Sequence, residues 1–292
     1  MNAKLFLSTI LIGFCLCNCD QIETVNDSLS AVQAVDAMED YAQAAWHFQG
    51  VNNASDNAVL NSENTENINL KSSVGPNISI TPSDLFTFPK SIVVDYGTNG
   101  TLGLDGRIRK GKLYIELENG WYSQTGSRHI TTFENYFQND YQIEGTHLVE
   151  NLGENNDGNL VFSIEVSNGK VTNAQGQVTT FSQETTRTWI KGDNTPLNIW
   201  DDSYWIEGLQ SGKCSSGVNY ELTIRENNPL EVELVCPYIK SGILDVVIDN
   251  APEMSIDYFV DEDKDGIADC SSSVTLKVNN IEYRIGNGEI QQ

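Results

Sequence analysis

Basic residues are scarce in this chain. Seventeen Lys and Arg stand against 41 Asp and Glu, a formal charge of -24 and a pI near 4.2. No basic face is available to neutralise phosphates, so nucleic acid is argued against as a partner, as is binding to an anionic bilayer through charge. Histidine is scarcer still, with only His47, His129 and His147, which leaves little material for a Cys/His nucleophile or a histidine-rich metal centre. Of six cysteines, Cys15, Cys17 and Cys19 crowd near the start. The remaining Cys214, Cys236 and Cys270 allow one disulfide and a leftover thiol in an oxidising compartment. Outside residues 5–16 no apolar run approaches the roughly 18 residues that cross a bilayer as a helix.

The apolar run that does exist lies where a targeting signal would. Lys4 precedes residues 5–16, LFLSTILIGFCL, about a dozen residues with the size of a signal-peptide h-region and too short to span. Leu16-Cys17-Asn18-Cys19 resembles a bacterial lipobox, with a branched apolar residue three before the acylated cysteine, and marks Cys19 as the lipid-attachment site. The frames Ile12-Gly13-Phe14-Cys15 and Phe14-Cys15-Leu16-Cys17 fit less well. Acyl chains on Cys19 would tether the mature chain stably, since each buried methylene contributes about 0.8 kcal/mol. The expected organisation is a signal peptide at 1–18, a lipid-anchored tether at 19–27, an amphipathic helix at 28–50, a polar loop or linker at 51–81 and one β domain at 82–292.

The helix is expected from spacing. Leu29, Val32, Val35, Met38, Ala42, Ala45 and Phe48 recur three or four apart and share one face, with Asp36, Glu39, Asp40 and Gln43 elsewhere. Asn26, Asp27 or Ser28 can cap its start, and Gly50 suits its end. Residues 52–77, rich in Asn, Ser, Glu and Asp, read as a loop.

From there the period changes to two. Strands are expected at 91–96, 110–118, 129–136, 141–149, 160–167, 178–191, 204–209, 220–225, 231–236, 242–249, 255–259, 273–278 and 282–285, separated by turn pairs such as Asn119-Gly120 and Asn168-Gly169. The expected fold is mainly β: a large antiparallel meander sheet or open barrel with the helix packed on it. Short repeats run through it. Tyr141-Gln142-Ile143-Glu144-Gly145 returns as Tyr204-Trp205-Ile206-Glu207-Gly208, and more weakly at Tyr238-Ile239-Lys240-Ser241-Gly242. Repetition points to a scaffold role, so Glu144 and Glu207 are not read as a catalytic pair.

Val94-Asp95-Tyr96-Gly97, the segment Arg107-Ile108-Arg109-Lys110-Gly111-Lys112-Leu113, Phe133-Glu134-Asn135-Tyr136, Glu144-Gly145-Thr146 and Cys236-Pro237-Tyr238 with Ser241-Gly242 follow a lipidation signal and a helix. Together they resemble an uncharacterised lipoprotein family of the Bacteroidota over most of the mature chain. The resemblance implies an envelope location and a β-rich fold, and it brings no activity; with the lipidation signal, the expected place is the cell outer membrane, lipid-anchored, on either its periplasmic or its surface-exposed side. It favours a Cys236–Cys270 disulfide, with Cys214 as the alternate partner.

Residues 261–269 carry a second chemical signal. Asp261, Asp263, Asp265 and Asp269 offer oxygen ligands at loop positions 1, 3, 5 and 9, Gly266 stands at 6, and the Ile267 carbonyl is available at 7. This matches the first part of a calcium loop. Position 12, a bidentate Glu in an EF-hand, is Ser272, and the pattern is closer to the Asp-rich loops of thrombospondin type 3 modules. A structural calcium ion is the expected cofactor. The function expected is a noncatalytic binding or interaction module for a protein or glycan ligand. An envelope hydrolase acting on polysaccharide or peptide and a structural envelope component are the alternatives. The membrane is reached through the lipid anchor only.

Overall fold

A computed structural model describes residues 31–63, 75–103, 105–195, 201–236, 238–249, 251–279, 281–286 and 289–291. Cys19 and the segments expected to be a signal peptide and a tether lie outside the described residues. Among the described residues one helix, α1 (Ala31–Glu63), precedes seventeen strands. These are β1 (Asn77–Thr81), β2 (Lys90–Asp95), β3 (Thr101–Leu102), β4 (Ile108–Glu118), β5 (Arg128–Gln138), β6 (Tyr141–Glu154), β7 (Leu160–Thr172), β8 (Val178–Lys191) and β9 (Ser203–Lys213), followed by β10 (Asn219–Ile224), β11 (Leu230–Glu233), β12 (Ile239–Ser241), β13 (Ile243–Ile248), β14 (Met254–Asp257), β15 (Val274–Val278), β16 (Ile281–Gly286) and β17 (Glu289–Gln291).

All pairings are antiparallel. The ladder runs β1-β2-β4-β5-β6-β7-β8-β9-β10-β13-β14-β15-β16-β17, with β3 on β4 and β11 bridging β9 to β12. Among the described residues no pairing joins β1 to β17, so the sheet is an open meander and not a closed barrel. The period-two alternation puts Ile92, Leu113, Ile115, Ile143, Phe162, Phe181 and Leu222 on one buried face. That face is a trough, and α1 lies in it against β2, β4, β6, β7, β8 and β10.

The helix departs from expectation in two ways. It does not stop at Gly50 but continues to Glu63, so residues 51–63 are helical and not loop. Gly50 is there for space. A Cβ at this position would sit 2.4 Å from Gln138 Oε1 and 3.0 Å from the Arg107 guanidinium. The close approach lets sheet side chains reach helix carbonyls: Gln138 Nε2 donates to the His47 carbonyl at 2.9 Å, Arg107 Nη2 to Trp46 at 3.0 Å and Arg109 Nη2 to Gly50 at 3.3 Å. Gly50→Ala is therefore expected to lower stability by roughly 1–2 kcal/mol in urea denaturation, where helix propensity alone would raise it by about 1 kcal/mol.

The buried stripe is also rotated from the one expected. Ala37, Tyr41, Ala44, Phe48, Val51, Ser55 and Val59 form its centre, while Val35, Met38, Ala42 and Ala45 sit half-buried at its margin. Small Ala37 and Ala44 allow close contact, Tyr41 donates to Gln210 Oε1 at 2.6 Å, and Phe48 stacks on Phe181 with ring centroids 5.1 Å apart. Fully burying each large apolar side chain contributes about 1.5–3 kcal/mol.

The repeated glycines have one job. Gly145, Gly208 and Gly242 all take positive φ, and a Cβ on each would strike neighbouring backbone: at Asn168 of β7, at Glu184 of β8 and at Pro229, just before β11.

Candidate functional site

The buried face is not uniformly apolar. Where the second half of α1 crosses β5, β6 and β8, a polar hub forms around Asp56. Its Oδ1 lies 3.0 Å from His129 Nε2, and its Oδ2 accepts from Asn52 Nδ2 at 3.1 Å, Tyr122 OH at 3.1 Å and Arg187 Nη2 at 2.9 Å. Arg187 Nη2 also donates to Tyr122 OH at 2.7 Å. The guanidinium lies over the rings of Phe162 and Tyr204, 5.2 and 4.9 Å from their centroids. Asn52 and Asp56 are one helical turn apart, which is why they act together.

The electrostatics follow from this packing. Burial alone would raise the Asp56 carboxyl, but Arg187 and His129 outweigh it and hold the group far below the usual carboxylate range. Burial likewise opposes the charge on Arg187, and Tyr122 and Asp56 reverse that and keep it protonated. His147 pairs across the ladder with Thr131, two residues along β5 from His129. It is 1% exposed and neither ring nitrogen has a hydrogen-bond partner; burial, with His129 nearby, pushes its pKa down to about 3.

The hub opens to solvent through a crevice of about 30 Å³, lined by Asn53, Asn57 and Leu60 of α1, Tyr122, Trp189 and Tyr204 among others. Asp202 borders it, accepting from Trp189 Nε1 at 3.2 Å and Tyr204 OH at 2.7 Å, with its carboxyl raised by burial. The space suits one or two waters and not a substrate. Both carboxylates at the crevice are engaged by side chains, and Asp56 has used both of its oxygens. The arrangement locks a helix; it offers no free base.

The residues singled out in the sequence lie elsewhere. Asp261, Asp263 and Asp265, in the connection from β14 to β15, bring carboxylate oxygens within 4.8 Å of one another. Asp261 accepts from the N–H groups of Asp265 and Gly266, and Asp265 from that of Ile267. Asp269 stands outside this trio, its carboxylate accepting the Glu262 N–H at 2.7 Å. Cys236 and Cys270 form a disulfide that ties this connection to the β11–β12 turn, and Cys214 is a buried free thiol. Arg107 and Arg109 share Asp105, and Lys112 reaches Glu134 at 3.4 Å.

Glu144 and Glu207 sit at separate positions of the ladder, cross-strand from Lys170 and Thr186. Trp121 and Trp189 are buried, Trp205 is exposed on β9, and Trp200 lies outside the described residues.

Asp56, Tyr122 and Arg187 are the residues that sequence reasoning missed. The available signal was Asn52 and Asp56 spaced i and i+4 in a stretch whose Val51, Ala54, Ala58 and Val59 continue the helical period. No protein-family model, no curated protein and no solved structure matches this chain.

Proposed function

We propose that this protein is tethered to the outer membrane through acylated Cys19 and that its β domain is a noncatalytic interaction module for another protein. The observation that carries the reading is the occupied trough. The concave face, where an open sheet would otherwise hold a substrate, is filled by α1 and sealed by the Asp56 hub. Hydrolysis by paired carboxylates needs one free acid and one free base beside a substrate-sized cleft, and the crevice carboxylates have neither freedom nor space. Of the four described tryptophans two are buried and Trp205 alone is exposed, which favours a protein ligand over a glycan, usually gripped by several exposed aromatic faces. The lipid anchor is supported by the lipobox-like Leu16-Cys17-Asn18-Cys19.

The test is growth of a producing strain with an alkyne-bearing palmitate analogue. The wild-type chain is expected to take up label and sediment with membranes. Cys19→Ala is expected to lose both properties, and label or sedimentation retained in Cys19→Ala would rule out the anchor.

A further inference from the structure

The connection between β1 and β2 is held by Lys90, Trp121 and Asp84, yet it displays an aromatic ring to solvent. Lys90, at 0% exposure, donates from Nζ to the carbonyls of Pro82 and Asp84. Its ammonium also lies 5.1 and 5.2 Å from the ring centroids of Phe88 and Trp121. Trp121 Nε1 donates to the Leu85 carbonyl at 3.0 Å, and the Trp121 and Phe88 rings meet edge to face. Asp84 Oδ1 accepts the N–H groups of Phe86 and Thr87 at 2.9 and 2.7 Å. The carbonyls of Asp84 and Leu85 and the amides of Phe86 and Thr87 are thus all hydrogen-bonded, while the Phe86 side chain is 90% exposed. A single exposed apolar residue is ordinary. Here a buried lysine and a tryptophan are spent on fixing the backbone that carries it.

We infer that Phe86 is the preorganised anchor of a protein interface, and that its partner presents an apolar pocket rimmed by Lys or Arg. Preorganisation is what makes such an anchor effective, because the ordering entropy of the loop is lost on folding and not again on binding. Charge selects the partner. The exposed, ionised Asp84 stands two residues from the ring on a chain of formal charge -24, so a basic rim is complementary and an anionic lipid headgroup layer is not. The inference rests on the interaction-module reading and gives that module its contact point.

The test places photoreactive benzoylphenylalanine at Phe86, and separately at Val178 of β8 and Leu209 of β9, two other exposed apolar residues, in the full chain produced in its own cells. Adducts are expected at position 86 with one protein, mapping to a peptide that combines apolar residues with Lys or Arg and fading as salt is raised. Phe86→Ala is expected to weaken the identified partner's binding at least about 30-fold, as loss of an interface hot spot does. Its melting midpoint is expected to stay within about 2 °C of wild type, because so little of the ring is buried. Adducts only with lipid, or Phe86→Ala binding as wild type, would overturn the inference. Protein adducts at 178 or 209 but none at 86 would overturn it while leaving the interaction module standing. No protein adduct at any of the three positions would count against both.

Discussion

Asp56→Ala is expected to cost about 3–5 kcal/mol of folding free energy at neutral pH, the range for breaking a buried ion pair by removing one partner. The substitution strips Arg187 of its counter-charge and leaves His129, Asn52 and Tyr122 each short of a bond they make to this carboxylate. Arg187 cannot escape by losing its proton, since an arginine guanidinium stays charged in proteins even when its counter-ion is gone. Removing both charges together is gentler. Asp56→Leu combined with Arg187→Met leaves no uncompensated ion, so its cost is expected to fall well below the sum of the two single changes. Urea denaturation followed by tryptophan fluorescence reads both quantities. An Asp56→Ala loss under about 1 kcal/mol would mean that the hub does not hold the helix.

His147 makes the second large effect a matter of acid. Its pKa of about 3 in the folded chain lies below the ordinary histidine value of about 6.5. The unfolded chain therefore binds the proton more readily. Stability contributed by neutral His147 is complete above about pH 6.5 and is lost as pH falls toward 3, at about 1.4 kcal/mol per pH unit. Asp56 acts lower down: its depressed pKa contributes stability present above the ordinary carboxylate range and lost only below it.

His147→Leu removes the upper window and leaves the lower one. Across urea midpoints at pH 7.5, 5.5 and 4.5 the wild type is expected to lose ground steadily to His147→Leu, whose leucine has no proton to gain, so that the variant's advantage is widest in acid. Parallel curves would show that His147 is not held neutral.

Much of this architecture was legible in the sequence, and the reasons are local. Thirteen expected strands reappear because period-two alternation on a half-buried sheet is a short-range signal, and Asn-Gly turns mark its corners. The strands not expected, β1, β3, β12 and β17, are two to five residues long and depend on neighbours for their pairing. Gly145 and Gly208 were readable as scaffold because the same crowding recurs at each. Gly50 misled for the converse reason. A glycine that stops a helix and one that admits a side chain from a distant strand look alike until the strand is in place, and Gln138 and Arg107 are 88 and 57 positions away by their numbering. The hub was invisible on the same grounds: Asp56 and Arg187 are separated by 131 residues, and polar residues such as Asn52 and Asp56 carry the pattern of a loop unless a charged partner is known to face them.

The central claim is that α1 is part of the core and not a lid over a binding trough. Native-state amide hydrogen exchange tests it most directly, because a detachable element opens at lower free energy than the sheet it covers. Amides in residues 44–59 are expected to exchange as slowly as those of β5 to β8, through global unfolding, and to accelerate selectively in Asp56→Ala. Rapid exchange of these amides in the wild-type chain, with β5 to β8 still protected, would contradict the claim and reopen the trough as a ligand site.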